Sequence, residues 1–402
     1  MELSAEEKRM LSGKEGNARK KAMQIILALA KIYQAKRLIP VKSVQIAGVS
    51  YHNLGDAGLE FLQEMAVDGK VKTTATLNPA GMDTLNWKNF GIPEDFAKKQ
   101  IAIIDAFKKM NVNTTLTCTP YLIGYAPKKG MHIAWSESSA VCYANSIFGA
   151  YTNREGGPSA LASALTGLTP EYGMHLDANR QAQVTVVVGA RVKLIEDFGA
   201  LGKAIADKAG NKIPYIKGIE KKNANLDCLK NFCASIATFA GLAIFHMEGI
   251  TPNKTKVPDD LIEITHDDLE NARKSLYDEF DHVDLVAIGC PHCSLEELKY
   301  LNELLKGKTV KKEFWICVSR KIAEEAEKKG FLQNIKASGA KIACDTCMAV
   351  APLKGRFNTM VTNSAKACFY GRQLNSFKVR MRNIRKCVDM ATSYVIVEEV
   401  KL

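Results

Sequence analysis

Residues 285–298, LVAIGCPHCSLEEL, decide the fold class of this chain. The apolar run Leu285–Ile288 predicts a short buried strand. Gly289 and Pro291 end that strand, and Ser294 followed by Glu297 has the spacing of a capping box, which predicts the start of a helix. A strand that leads through a tight loop into a helix is the repeating unit of layered α/β proteins.

The rest of the chain repeats this alternation, so we predict an α/β fold with mixed or parallel sheets. The predicted strands are 43–47, 71–77, 114–117, 184–188, 285–288, 313–318 and 341–343. The predicted helices are 18–37, 54–68, 94–110, 136–148, 194–208, 267–280, 294–305 and 320–329.

The segment Gly249–Asp260 contains two prolines and mixed charge after an apolar block, which predicts an internal boundary. We therefore expect residues 1–250 to form a substrate-binding α/β part and residues 251–402 to form a doubly wound α/β part. In doubly wound sheets, ligands bind at the loops that follow the carboxyl ends of the strands.

Composition indicates a reduced, water-soluble protein of 402 residues, 47% apolar and 24% charged. The amino-terminal segment is too charged for a signal peptide and no apolar run is long enough to span a bilayer, so we expect a cytoplasmic location and no membrane partner. The eleven cysteines are odd in number and dispersed, which disfavours a disulfide framework.

The net charge of +12 raises the question of nucleic acid. Nine basic residues and no acid lie between Leu353 and Val388, but this strip contains no recognised nucleic-acid-binding motif. A basic surface for an anionic small substrate or an acidic partner is the favoured reading, and nucleic acid is disfavoured.

Three cysteines lie in loops that follow predicted strands: Cys118 in TTLTCTPY, Cys290, and Cys347 in KIACDTCMAVAP. Most cysteines in a chain of this kind are small buried hydrophobic residues. We predict that these three are metal ligands, and that Cys293 and Cys344 are alternatives because each lies within a turn of a proposed ligand. Cys290 and Cys293 precede a helix N-terminus, which favours the thiolate that a metal requires.

Soft thiolate ligands select zinc, copper(I) or iron-sulfur clusters. A structural zinc site usually uses two close pairs, whereas ligands supplied singly from distant parts of a chain suit a cluster. We predict an iron-sulfur cluster, 4Fe-4S first and 2Fe-2S as the alternative. Three thiolates on a four-iron cluster leave one iron open to act as a Lewis acid on a substrate hydroxyl.

Eight segments resemble a known family. They are GVSYHNLGDAG (48–58), TATLNPAGMD (74–83), TCTPYLIG (117–124), AWSESSAVCYANS (134–146), TNREGGPSAL (152–161), IGCPHCSLEE (288–297), DTCMAVAP (345–352) and TNSAKACFYG (362–371). Over nearly its whole length the chain resembles the large subunit of aconitase X, the branch of the aconitase superfamily that includes archaeal phosphomevalonate dehydratase and bacterial hydroxyproline dehydratases. The resemblance implies an aconitase-like fold, with several subdomains around a central cleft.

The resemblance also implies an activity and a partner. It implies cluster ligation by Cys118, Cys290 and Cys347, and because the hydroxyproline type tends to replace the cysteine at Cys290 with serine, it favours a hydro-lyase that dehydrates (R)-5-phosphomevalonate to trans-anhydromevalonate 5-phosphate. Dehydration of hydroxyproline or another hydroxy acid is the alternative. A non-catalytic iron-sulfur or zinc protein that binds RNA is a third hypothesis. The resemblance further implies a separate small subunit that carries a swivelling domain with the catalytic serine, so this chain alone is expected to be inactive.

The predicted site residues fall into two groups. Small residues with free amides after a strand can approach an anion closely, and basic side chains can bind carboxylate or phosphate, although the same residues also suit simple turns, helix caps or a solvated face. The predicted substrate-binding residues are Gly48, Val49, Ser50, Asn78, Pro79, Ala80, Gly81, Glu137, Ser138, Asn363, Ser364, Lys366 and Arg372. The predicted catalytic residues are His52, His292 and Glu137, the histidines as acids that protonate a departing hydroxyl.

Overall fold

The computed structural model describes residues 1–394, so the last residues of the predicted part 251–402 lie outside the described residues. Within that range the helices are α1 (Ala5–Leu11), α2 (Asn17–Ile32), α3 (Tyr51–Met65), α4 (Glu94–Lys109), α5 (Ser138–Tyr143), α6 (Gly157–Thr166), α7 (Ile195–Ala209), α8 (Leu226–Phe239), α9 (His266–Ser275), α10 (Leu295–Leu304), α11 (Arg320–Lys328), α12 (Gln333–Ser338), α13 (Ala365–Asn375) and α14 (Ile384–Thr392).

The strands of the same range form four sheets. They are β1 (Leu38–Pro40), β2 (Ser43–Ile46), β3 (Thr74–Leu77), β4 (Ala134–Trp135), β5 (Leu168–Pro170), β6 (Val184–Val188), β7 (Pro214–Lys217), β8 (His246–Met247), β9 (Leu261–Ile264), β10 (Leu285–Ile288), β11 (Glu313–Val318), β12 (Lys341–Cys344), β13 (Thr359–Thr362) and β14 (Lys378–Met381).

A five-stranded sheet contains the strand of the stretch 285–298. Its strand order is β12-β11-β10-β13-β14 and all of its pairings are parallel. The predicted capping box is present, because Ser294 Oγ accepts from the Glu297 amide at 3.1 Å and Glu297 accepts from the Ser294 amide at 2.9 Å. Since the carboxyl ends of parallel strands meet at one edge, the loops after β10 and β12 lie side by side there.

Three further sheets complete the α/β architecture. The four-stranded sheet β8-β7-β6-β9 and the three-stranded sheet β3-β2-β4 are parallel, whereas β1 and β5 pair antiparallel. The predicted fold class, with mixed or parallel sheets, is confirmed. Residues 249–260 join β8 to β9 inside one sheet, and the division into parts 1–250 and 251–402 stays a prediction.

Several predicted elements differ from the structure in their bounds, and two differ in more than their bounds. The strand predicted at 114–117 is wrong, because Leu116 has a left-handed backbone with φ 46°, which turns the chain out of the extended conformation that a ladder requires. The helix predicted at 136–148 begins at Ser138 and widens into a π-helical turn over Ala144–Phe148. Among the described helices, none is both long enough and apolar enough to cross a membrane.

Candidate functional site

His292 lies where the three cysteine-bearing loops meet. Its side chain is fully buried, with Nδ1 2.9 Å from Thr117 Oγ1 and Nε2 3.0 Å from the carbonyl oxygen of Thr346. Its backbone amide donates to Cys118 Sγ at 3.2 Å. Because a carbonyl only accepts, Nε2 carries the proton and Nδ1 accepts from Thr117. One residue therefore joins the loop after Leu116, the loop after β10 and the loop after β12.

The three predicted ligand cysteines lie on the loops that meet at this junction and are unlinked by disulfides. Burial raises the pKa of Cys290 to about 12, and the neighbouring Cys347 adds to that rise. Burial also raises the pKa of Cys118 and of Cys347, with Cys347 again contributing at Cys118. Burial likewise raises the pKa of the Cys293 thiol, so at Cys290 and Cys293 desolvation opposes the thiolate that the helix N-terminus was expected to favour, and their thiolate character stays a prediction.

The two alternative ligands have other surroundings. The backbone amide of Cys344 donates a hydrogen bond to Asp83 Oδ2 at 3.0 Å. Burial, and after it the charge of Asp83, raises the pKa of the Cys344 thiol to about 12. Cys293 is fully buried, and after burial the charge of Glu297 is the next cause that raises the pKa of its thiol. Of the pair Cys344 and Cys347, it is Cys347 that interacts electrostatically with the other two predicted ligands.

The two predicted glycine-containing loops contact each other and the Cys347 loop. Ser50 Oγ donates to the carbonyl of Val350 at 2.9 Å, and the Ala80 amide donates to the carbonyl of Asp345 at 2.8 Å. A Cβ at Gly81 would stand 2.5 Å from Ser50 Oγ, so glycine is needed for this approach.

The remaining members of these two loops are placed by the same contacts. Val49 is buried, and its carbonyl accepts a hydrogen bond from Gln100 Nε2. Gln100 Oε1 accepts a hydrogen bond from the Gly81 amide. Gly48 has φ 76° and open space beside it. Asn78 and Pro79 follow β3 directly, and Asn78 Oδ1 is buried without a hydrogen-bond partner.

Glu137 and Lys366 form a buried ion pair that joins α5 to α13. Glu137 Oε1 accepts from Lys366 Nζ and, at 3.3 Å, from Ser138 Oγ, while Oε2 accepts from Ser139 Oγ and the Ala140 amide. Burial alone would raise the pKa of Glu137, but the charge of Lys366 and these donors lower it below its ordinary value. Glu137 is therefore a carboxylate and Lys366 an ammonium ion near neutral pH.

Polar atoms without partners surround the same junction. Ser364 caps α13, accepting from the Ala367 amide at 3.2 Å, and its side chain also interacts with the thiol of Cys290. The buried atoms Asn363 Oδ1, Thr346 Oγ1 and Ser136 Oγ have no hydrogen-bond partner. Buried polar groups are normally satisfied, so these atoms are open to a hydrogen bond from water or from a bound group.

Two predicted site residues are not brought into this cluster. His52 is exposed on the first turn of α3. Arg372 makes a bidentate ion pair with Asp278, at 3.1 and 3.0 Å, and donates to the carbonyl of Ser275. Its donors are thus largely occupied by the protein, and its role in substrate binding stays a prediction.

The basic strip 353–388 is not one surface. Lys366 is buried against Glu137, Arg380 is buried with its guanidinium on the carbonyls of Asp278 and Phe280, and Arg356 donates to the carbonyl of Phe90. Lys366 and Arg380 are therefore not available to a phosphate-binding face, which weakens the RNA-binding hypothesis.

Several residues at the site were missed in the sequence. Thr117 and Thr346 hold His292, and Arg320 pairs with Asp83 and Asp345 next to the Cys347 loop. Lys230 donates to the carbonyl of His292 from α8 at 3.0 Å. A lone lysine inside the apolar segment 228–245 was a signal for such a buried contact, since lysine is rarely buried without a partner.

An open depression of about 790 Å³ lies elsewhere, at the amino-terminal edge of the five-stranded sheet. It is lined by Glu279, Phe280, Asp281, His282, Asp284, Asn358, Thr359, Ser376 and Lys378. None of the predicted site residues lines it, and its position opposite the carboxyl ends of the strands separates it from the cysteine junction.

Within residues 1–394, no three or more His, Cys, Asp or Glu side chains are grouped closely enough to hold a single metal ion. A multi-iron cluster is larger than one ion, and its thiolates stand further apart than those of a zinc site. The finding therefore concerns a single-ion site only.

Comparison with known proteins adds the family. Models described as the first, second and third domains of aconitase X match residues 1–178, 182–274 and 283–393. This chain belongs to the aconitase X family. Within that family it is similar to the phosphomevalonate dehydratase large subunit of Methanosarcina mazei, with 44% identity over 98% of this chain and 97% of the relative.

Two further proteins are similar to this chain. A crystal structure of Thermococcus kodakaraensis aconitase X in its holo-form, 42% identical, superposes with a TM-score of 0.90 over 97% of this chain and 100% of that one. The cis-3-hydroxy-L-proline dehydratase of Hypocrea jecorina is more distant, at 33% identity over 97% of this chain and 68% of the relative. The aconitase-like fold implied by the sequence is thus confirmed.

Proposed function

We propose that this chain is the large subunit of an iron-sulfur hydro-lyase that dehydrates (R)-5-phosphomevalonate to trans-anhydromevalonate 5-phosphate. The greater similarity to phosphomevalonate dehydratase large subunits than to the hydroxyproline enzyme supports this substrate. The observation that carries the proposal is the convergence of the Cys118, Cys290 and Cys347 loops on His292, beside the buried Glu137–Lys366 pair.

The donor set fits an iron-sulfur cluster. Cys118, Cys290 and Cys347 would hold it, since each is a buried free thiol that affects or is affected by another of the three. Thiolate donors select iron-sulfur clusters among the soft-metal groups. A four-iron cluster is proposed, with a two-iron cluster as the alternative. When bound, such a group supplies a Lewis acid that makes a hydroxyl a better leaving group.

Lys366 is the proposed carboxylate-binding residue. An ammonium group has three donors, and Glu137 and Ser138 Oγ take two of them. The third can bind an oxygen of the substrate, and the carboxylate of Glu137 keeps Lys366 charged and fixed in a buried setting. Asn363 Oδ1 offers an acceptor for a substrate hydroxyl beside it.

The residues of this chain leave the proton-abstracting base to a partner. Glu137 is a weak base because four donors stabilise its carboxylate and lower its pKa. Burial lowers the pKa of His292 to about 4, and both of its ring nitrogens are engaged by Thr117 and Thr346. These contacts suit positioning of substrate and loops rather than proton transfer. We therefore propose that a small subunit, carrying a swivelling domain with the catalytic serine, completes the site in the cytoplasm.

Anaerobic reconstitution with iron and sulfide, followed by assay with the small subunit, tests this proposal. We expect release of water from (R)-5-phosphomevalonate by the two chains together, no turnover by either chain alone, and no turnover of cis-3-hydroxy-L-proline. Turnover of the proline substrate alone would reassign the substrate within the family. Tight RNA binding that weakens with salt, without lyase activity, would replace the enzyme proposal with the RNA-binding one.

A further inference from the structure

Lys230 lies on α8 and its side chain has no exposed surface. Three oxygen atoms of the protein lie close to its ammonium group. Its ammonium group donates to Glu297 Oε2 and, at 3.0 Å, to the carbonyl oxygen of His292. Asp227 Oδ1 lies 3.0 Å away as an ion-pair contact that is not aligned as a hydrogen bond. Three protein oxygen atoms thus surround the ammonium group, and two of them accept hydrogen bonds from it.

These contacts restrain the loop between β10 and α10. The peptide that presents its carbonyl to Lys230 belongs to His292, whose own amide points at Cys118 Sγ. The acids are tied to the same loop, because Glu297 accepts from the Ser294 amide and Asp227 accepts from Ser294 Oγ at 2.9 Å. The orientation of the backbone at His292, next to the proposed ligands, therefore depends on the side chain of Lys230 from α8.

A buried ion triad of this kind is costly if stability is its only purpose. Well-packed apolar side chains of similar volume often stabilise a core as much or more. An apolar residue, however, cannot orient a carbonyl group. Lys230 is buried, and its ammonium group interacts with the carbonyl of His292 and with the carboxylates of Asp227 and Glu297. The cation is consequently suited to fixing the loop's geometry.

We propose that Lys230 is a positioning residue: through the carbonyl of His292 it holds residues 289–293 so that Cys118 and Cys290 face the same site. It touches neither substrate nor cofactor. The inference rests on the proposed function in one respect, namely that this site takes up an iron-sulfur cluster.

The test compares four full-length chains. They are the parent, the single variant Lys230→Met, the single variant Lys203→Met, and a triple variant that combines Asp227→Asn, Lys230→Met and Glu297→Gln. The triple variant removes the cation without leaving unpaired buried acids. Lys203 is the matched control because it forms an ion pair with Asp207 on α7 and does not contact the loop. Each chain is alkylated in the metal-free state, and the rate at every cysteine is followed by mass spectrometry. Iron and sulfide per chain are then measured after anaerobic reconstitution, alone and with the partner subunit.

Local loosening and global destabilisation give different labelling patterns. In the triple variant we expect Cys118 and Cys290 to react about tenfold faster while Cys387, fully buried in α14, changes by less than about twofold. Uptake of iron and sulfide should fall below half that of the parent. Lys203→Met should match the parent in both measurements.

The labelling of the triple variant decides the matter. Equal acceleration at Cys118, Cys290 and Cys387 would mean a purely structural role and overturn the proposal, as would parental labelling in the triple variant. If Lys230→Met fails to fold because its acids are unpaired, the triple variant still decides. If the parent itself binds no iron or sulfide, the proposed function fails, yet the labelling contrast in the metal-free chains still supports or overturns the role of Lys230.

Discussion

Lys366 donates a hydrogen bond to the carboxylate of Glu137 across 229 positions of sequence, and both side chains are buried. The contact ties the first turn of α13 to the start of α5 and brings a fixed positive charge to the edge of the sheet where the cysteines converge. A charge held this way is available to a substrate without the entropy cost of ordering a long side chain.

Breaking that pair should cost both stability and substrate affinity. Lys366→Met leaves a buried carboxylate unpaired, so we expect the free energy of unfolding to fall by about 3–5 kcal/mol. The double variant Glu137→Gln, Lys366→Met should recover most of this loss, because no unpaired charge remains. Both variants should raise KM for the phosphorylated substrate. Denaturant unfolding and steady-state kinetics measure the two effects, and an unchanged KM in the double variant would remove Lys366 from the substrate site.

The cysteine set makes a separate prediction. We expect Cys118→Ser, Cys290→Ser and Cys347→Ser each to lower bound iron and to reduce activity by more than the ~10- to 100-fold typical of losing an outer partner of a metal site. Cys344→Ser and Cys293→Ser should retain iron, because their thiols lie in other surroundings. Cys387→Ser controls for the ~1–3 kcal/mol cost of burying a hydroxyl. Greater iron loss from Cys344→Ser than from Cys347→Ser would reverse their assignment.

Gly289 should not tolerate a side chain. Its φ is 100°, and a Cβ there would overlap the carbonyl oxygen of Cys317. Gly307 also has a positive φ, 70°, but has nothing within 4 Å of an added Cβ. We therefore expect Gly289→Ala to destabilise the chain by about 2 kcal/mol more than Gly307→Ala, the excess reflecting overpacking. Thermal unfolding of the two metal-free variants checks the difference, and equal destabilisation would show that backbone conformation alone matters.

Acid should destabilise the protein through His175. Its Nδ1 lies 2.9 Å from Nδ1 of His132, and burial, with His132 and Arg180 nearby, lowers the pKa of His175 from 6.5 to about 3. Glu171 acts in the opposite direction but does not cancel the shift. Between these pH values His175 is protonated in the unfolded state and neutral in the folded state. Its contribution to the free energy of unfolding is therefore complete above pH 6.5 and is lost as pH falls toward 3.

The expected slope is about 1 kcal/mol per pH unit between pH 6 and 5. His175→Gln should flatten this part of the profile, whereas the exposed His266→Gln should not. Urea unfolding at a series of pH values measures it. A profile of parental slope in His175→Gln would locate the acid sensitivity elsewhere.

Local sequence signals were sufficient where neighbours along the chain supply the interaction. The strands Leu285–Ile288 and Glu313–Val318 and the capping box of Ser294 with Glu297 form as predicted, because apolar runs and caps act over a few residues. The strand predicted at 114–117 is absent because Leu116 has a left-handed backbone. The sequence gives no sign of this conformation, because the position holds neither glycine nor asparagine, the residues that usually adopt it.

By itself, the sequence determined the α/β class and the loops that carry Cys290 and Cys347, because periodicity and caps are properties of neighbouring residues. The family followed from the resemblance of eight segments. Only the tertiary structure decided that His292 is a buried junction and that Lys230 and Lys366 are buried cations with specific acids. Their partners lie far away in the sequence, and desolvation, which sets the charge and the available hydrogen bonds of such groups, exists only once the sheets have packed together.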